Sequence, residues 1–228
     1  MDLKQLFYAL TRSGVLFMLF SSFYWGTCYG AVTLDPASTT SGYLARLLIN
    51  ETPFPGEGGW LSEVDTKAAM LSILWVLDSR INYIPVGYRQ SQIAAVKTDN
   101  IIDIITVGGK KGQCDGFYKD NNGAFKMVPR IQERIDYLMK IAGGGKPGKF
   151  ARLLEYAQGL ATAYEKGGVK QADIFAGLKV INRVNVTGRA YSWMTNMDCY
   201  HPGGTFVKIP DSDKGSLGGN RFFTLKEK

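Results

Sequence analysis

Residues 43–81 read YLARLLIN ETPFPGEGGWL SEVDTKAAMLSILWVLDSRI, and this stretch decides the fold. Its first part is a short helix, Tyr43 to Asn50, capped by Ser41, with Leu44, Leu47 and Leu48 on one face at helical spacing. Glu51 follows at the helix end. The next run, Thr52 to Gly59 (TPFPGEGG), holds two prolines and three glycines. Neither a helix nor a central strand tolerates that composition, so it is a loop. Ser62 opens a second helix, with Asp65 three positions on as a variant of the capping box. This helix runs to about Ile81, and Ala68 to Leu77 (AAMLSILWVL) is apolar nearly all round. Such a helix has neighbours on several sides, which makes Trp75 a packing residue.

Beyond this pair the chain alternates helix and loop. Asn100 to Val107 is a short apolar helix or strand, and Gly108 to Gly123 is polar and glycine-rich. Pro129 to Ala142 is amphipathic, with Ile131, Ile135, Leu138 and Ile141 in register. A break at 143–148 precedes helices over Lys149–Lys166 and Ala172–Asn182. Tyr191 to Met194 and Asn220 to Leu225 read as short strands bracketing a loop rich in Gly, Pro and Asp. The expectation is a mainly α (α+β) domain over residues 43–228, with a small β element near the C-terminus.

Upstream, Lys4 and Arg12 precede an uncharged span from Ser13 to Leu34 whose core, Val15 to Trp25, is strongly apolar. Residues 1–30 therefore read as a secretory signal cleaved near Gly30, with an uncleaved single-span membrane anchor as the alternative. Residues 31–42 are small and polar, a linker. Export places the domain in the periplasm, the cell envelope or the extracellular space. Cleavage leaves Cys114 and Cys199, which an oxidising compartment would pair in a disulfide; two separate buried thiols are the alternative.

The inventory restricts the chemistry. The 228 residues contain one histidine, His201, whereas protein zinc sites usually draw on several His or Cys ligands; neither a metal nor a cofactor is expected. A Cys–His dyad from Cys114 or Cys199 with His201 remains open, as for a cysteine amidase or peptidase. Gly143-Gly144-Gly145-Lys146 lacks the Ser/Thr and the strand of a phosphate loop. The formal charge of +7 favours anionic partners, but Lys110-Lys111 is the one adjacent basic pair, and no nucleic-acid surface is expected. Carboxylates remain: Glu51, Glu57 and Glu63. Glycoside hydrolysis needs only carboxyl groups. A glutamic acid half-buried behind Leu47, Leu48 and Ile49 has its pKa raised and holds a proton near neutral pH.

The same stretch resembles the opening of the SleB-type cell-wall hydrolases, of which the spore-cortex-lytic enzymes are members. That family has a helix ending in Glu-Ala-Arg-Gly-Glu, a short loop, and an apolar helix ending near Val-Asn-Arg-Val. Here the matching runs are Leu44 to Glu51, Gly56-Glu57, and Val76-Leu77-Asp78-Ser79-Arg80-Ile81. The family's closing strand, Gly-Asn-His-X-Phe-Tyr, is similar to Gly219-Asn220-Arg221-Phe222-Phe223. Thr52-Pro53 stands in place of Ala-Arg, Arg221 in place of the histidine, and residues 84–170 are longer than the family's middle. The resemblance implies a lysozyme-like helical domain that cleaves peptidoglycan glycan strands between MurNAc and GlcNAc. Glu51 would be general acid and base of a lytic transglycosylase, or Glu57 or Glu63 would activate water in a muramidase. Trp60, Tyr118, Tyr191 and Trp193 are candidate sugar platforms, core packing being the alternative for each, and Asn220 a substrate contact. A non-catalytic wall-binding or secretion-apparatus protein on the same scaffold is the other implied role.

Overall fold

The computed structural model describes residues 32–144, 148–195 and 203–228. The expected signal or anchor, Cys199 and His201 lie outside them. Among the described residues, six α-helices and several small antiparallel sheets make a mixed, mainly helical α+β unit.

Helix α1 (Thr40–Asn50) is the centre of the core, with Tyr43, Leu44, Leu47, Leu48 and Ile49 fully buried. It starts earlier than the sequence pattern implies. Thr39, not Ser41, is its cap: the Thr39 hydroxyl accepts from Gly42 N at 3.0 Å. Ser41 instead donates to Asp35 at 2.8 Å, and Asp35 exchanges two hydrogen bonds with Gln158. Residues 40–42 of the expected linker are thus helical, and Asp35 is pinned to the body of the domain. Helix α2 (Glu63–Asn82) follows with Ser62 as its cap, its hydroxyl accepting from Asp65 N at 3.1 Å. Its apolar middle, from Ala69 through Leu77, is packed on most sides, as its composition requires.

Two short helices come next, α3 (Gln90–Ala94) and α4 (Ile101–Thr106), the second capped by Asn100. A hairpin that the glycine-rich sequence concealed follows: β1 (Phe117–Lys119) pairs β2 (Phe125–Met127). Helix α5 (Pro129–Ala142) buries Ile131, Ile135 and Leu138 but leaves Ile141 36% exposed. Helix α6 (Lys149–Glu165) packs against α1 more extensively than any other element does.

The helix expected over Ala172–Asn182 does not form. Asp173 accepts from Phe175 N in a local turn, and Gly177 sits at φ 91°, which breaks any helix there. The segment ends in a small ribbon, β3 (Val180–Ile181) with β4 (Val184–Asn185). Both expected C-terminal strands are present and pair directly: β5 (Ser192–Thr195) lies antiparallel to β8 (Asn220–Leu225), with Trp193 opposite Phe222. Strands β6 (Phe206–Lys208) and β7 (Ser216–Leu217) pair the other edge of β8. The β7–β8 turn is Gly218-Gly219, at φ 50° and 65°, the left-handed pair that a two-residue hairpin needs. A side chain on Gly218 would meet Ala69 at 2.6 Å, so the turn presses on α2, and Asp65 accepts from Gly218 N at 2.8 Å. This contact sets the strand sheet against the first turns of α2.

Candidate functional site

The last turn of α1 would leave its carbonyls unpaired, and no basic residue of the helix itself lies there. Three other parts of the chain supply donors. Thr52 Oγ1 donates to Leu48 O at 2.8 Å, Arg134 Nη1 of α5 donates to Ile49 O at 2.8 Å, and Asn220 Nδ2 of β8 donates to Glu51 O at 2.6 Å. Pro53 has no N–H to continue the helix and disfavours helical backbone at Thr52. Glu51 is therefore fixed at the point where helix, loop and sheet meet.

Its side chain lines an open cleft of about 240 Å³, together with Asn50, Thr52, Glu57, Arg134 and Asn220 among others. Glu51 is partly exposed at the cleft, but its carboxyl is enclosed by protein. Trp193 Nε1 donates to Oε2 at 3.0 Å and Asn50 Nδ2 to Oε1 at 3.2 Å. Burial pushes the pKa above the ordinary glutamate range, and the charge of Asp115 adds to the rise. The two hydrogen bonds and the more distant Arg134 oppose it without cancelling it. The negative end of the α1 dipole also disfavours a carboxylate here.

Glu57 lines the same cleft with its pKa shifted the other way. Arg134 grips both its oxygens, Nε to Oε1 at 2.8 Å and Nη2 to Oε2 at 2.6 Å, and Phe54 N donates to Oε2 at 2.7 Å. Burial alone would raise its pKa, but the Arg134 hydrogen bonds and Phe54 N–H outweigh burial and leave it lowered. Glu57 is an ionised anchor for the loop.

The remaining expectations divide. Trp193 and Asn220 meet Glu51 as described, Asn220 through the Glu51 carbonyl. Glu63 does not belong to the cleft: at the start of α2 it pairs with Arg152 and Lys67, chiefly the former, which hold it down at about 2. Tyr191 is 1% exposed, with its hydroxyl donating to Tyr83 O at 2.7 Å, so it is a core residue and no sugar platform. Trp60 lies under Lys149, and Tyr118 under Lys110; neither lines the Glu51 cleft. Cys114 is a free thiol buried in the core, not half of a disulfide at this end. Burial and the nearby Glu51 drive its pKa up, the reverse of what an attacking thiolate needs.

Two residues escaped the sequence reading. Arg134 lies 77 positions from Glu57, in an amphipathic helix whose other charges are solvated, and nothing local marks it. Arg80 stands behind the Trp193 ring, its guanidinium carbon 5.3 Å from the ring centroid. Its one signal was position, a basic residue in the last turn of a helix with an apolar middle. No protein-family model, curated protein or solved structure matches this chain.

Proposed function

We propose that this domain cleaves peptidoglycan glycan strands between MurNAc and GlcNAc as a lytic transglycosylase, with Glu51 as its general acid and then base, on a lysozyme-like arrangement of helices. The observation that carries the reading is a single glutamic acid with a raised pKa on the wall of an open cleft, held by a tryptophan N–H. Protonated Glu51 would donate its proton to the glycosidic oxygen as the C1–O bond breaks. The resulting carboxylate would take the proton of the muramyl 6-hydroxyl as that oxygen attacks C1, giving a 1,6-anhydro sugar and returning Glu51 to its acid form. Trp193 N–H would steady the carboxylate in between.

The state of Glu57 favours this over a water-activating muramidase. A general base must be free to accept a proton, and Glu57 has both oxygens committed to Arg134. An exported protein with a wall substrate also fits the basic charge, since the bacterial wall is anionic.

Digestion of purified peptidoglycan with mass spectrometry of the products tests the proposal. Anhydro-muropeptides are expected from the wild type and none from Glu51→Gln. Reducing muramyl ends would mean hydrolysis by water, and free stem peptides would mean an amidase. Binding without any product would leave the wall-binding role.

A further inference from the structure

Arg80 is a buried cation without a counter-ion among the described residues. Its side chain is 5% exposed, in the last turn of α2. Nε donates to Tyr191 O at 2.8 Å and Nη1 to Gln113 Oε1 at 2.6 Å, both neutral acceptors. A guanidinium carries five N–H groups, so these two bonds leave others to be satisfied. Arginine does not escape burial by losing its proton, and a buried charge ordinarily has an opposite charge beside it. Burial draws the pKa of Arg80 down to about 10, the direction expected of a cation short of such a partner.

The guanidinium is not sealed in. Arg80 lines a second pocket of about 310 Å³ with Gln92, Gln113, Ser192 and Trp193. Ile93, Met194 and Phe206 complete the lining, and its polar part is two side-chain amides, one hydroxyl and the planar fork of the arginine, which matches a carboxylate in two parallel hydrogen bonds. Trp193 of this pocket also touches Glu51. Its N–H reaches the Glu51 carboxyl at 3.0 Å, while its ring stands over the Arg80 guanidinium. One indole therefore separates Glu51 from a cation with no counter-ion among the described residues.

We infer that the Arg80 pocket is a subsite for a carboxylate of the substrate, carried on the peptide that the muramyl sugar bears beside the scissile bond. This rests on the glycan-cleaving reading of Glu51. A bound carboxylate supplies the charge that Arg80 lacks, and the amides of Gln92 and Gln113 hold the rest of the group. The subsite makes the enzyme select peptide-bearing strands over bare glycan.

Calorimetric titration tests this with a disaccharide–tripeptide bearing free carboxylates and its fully amidated counterpart, using the full chain. The wild type should bind the free acid at least tenfold more tightly. Arg80→Met should lose that preference. Because a buried substitution can unfold the protein, Gln92→Glu is the second variant: Gln92 is exposed, and a glutamate there keeps the acceptor for Arg89 N while placing a competing carboxylate at the pocket. It should lose the preference with its fold intact by circular dichroism. Equal affinity for both ligands in the wild type, or a preference that survives in folded Gln92→Glu, overturns the inference. Cleavage of bare and peptide-bearing glycan is read in parallel. Cleavage with no carboxylate preference defeats the subsite alone, and preference with no cleavage defeats the glycosidase reading alone.

Discussion

Glu51 and Glu57 line one cleft, yet their pKa values are pushed in opposite directions. Glu57 has a guanidinium against both oxygens and a backbone N–H as well. Glu51 has only neutral donors, a tryptophan and an asparagine, and a helix end that repels negative charge. Two identical side chains thus differ through their neighbours: one is pushed towards its protonated form, the other is held as a carboxylate that fastens the loop. Environment, not residue type, separates the two carboxyls.

The comparison is broken most severely at the acid itself. Glu51→Gln should lower glycan cleavage about a thousandfold, in the range of lost general acid–base catalysis, with binding to insoluble peptidoglycan retained in a pull-down. Next is the clamp. Arg134→Met removes hydrogen bonds to Glu57, Ile49 O and Thr52 O together. It should cost about 2 kcal/mol in urea unfolding, the figure for charged hydrogen bonds reduced for the partial exposure of the pair.

A third test uses the sign of the two shifts. Folded Glu51 binds its proton more tightly than the unfolded chain does. Its contribution to stability is therefore whole below the ordinary glutamate range and is lost as pH rises through the raised pKa. Glu51→Gln should accordingly melt higher than the wild type at pH 8 and alike at pH 4. Glu57 runs the other way: its stabilisation is present above the ordinary range and lost as pH falls through the lowered pKa. Glu57→Gln should melt lower than the wild type at pH 8, and the gap should close in acid. Differential scanning calorimetry at the two pH values reads all four numbers.

Smaller effects sharpen the picture. Trp193→Phe removes a donor that favours the Glu51 carboxylate, so the alkaline limb of the pH–rate profile should move to higher pH, with a loss of activity of only a few-fold. Glu63→Gln should change neither cleavage nor stability beyond about 0.5 kcal/mol, as for an ordinary surface ion pair.

Much of this frame was legible in residues 43–81, because two prolines, a glycine-rich loop and an uninterrupted apolar run leave little choice of structure. The strands at Trp193 and Asn220 were legible too, and they deliver two side chains to Glu51. What could not be read was pairing at long range. Whether Glu57 is base or anchor depends on Arg134, whose helix reads the same with or without that contact. Tyr191 and Trp193 are two positions apart, so alternation puts both on one face and does not tell that Tyr191 is sealed in the core while Trp193 stays partly exposed and reaches Glu51. The expected helix at Ala172–Asn182 failed at Gly177, a residue that composition tolerates and backbone conformation does not.

The most direct test of the account is a titration of the Glu51 side-chain carbon by NMR, with carbon-13 at the carboxyl and Glu51→Gln to assign it. The resonance should stay at its protonated position through the range where exposed glutamates ionise and shift only at higher pH. A carboxyl that titrates with the surface glutamates would leave no proton to give a glycosidic oxygen near neutrality, and the assignment of Glu51 as the acid would be wrong.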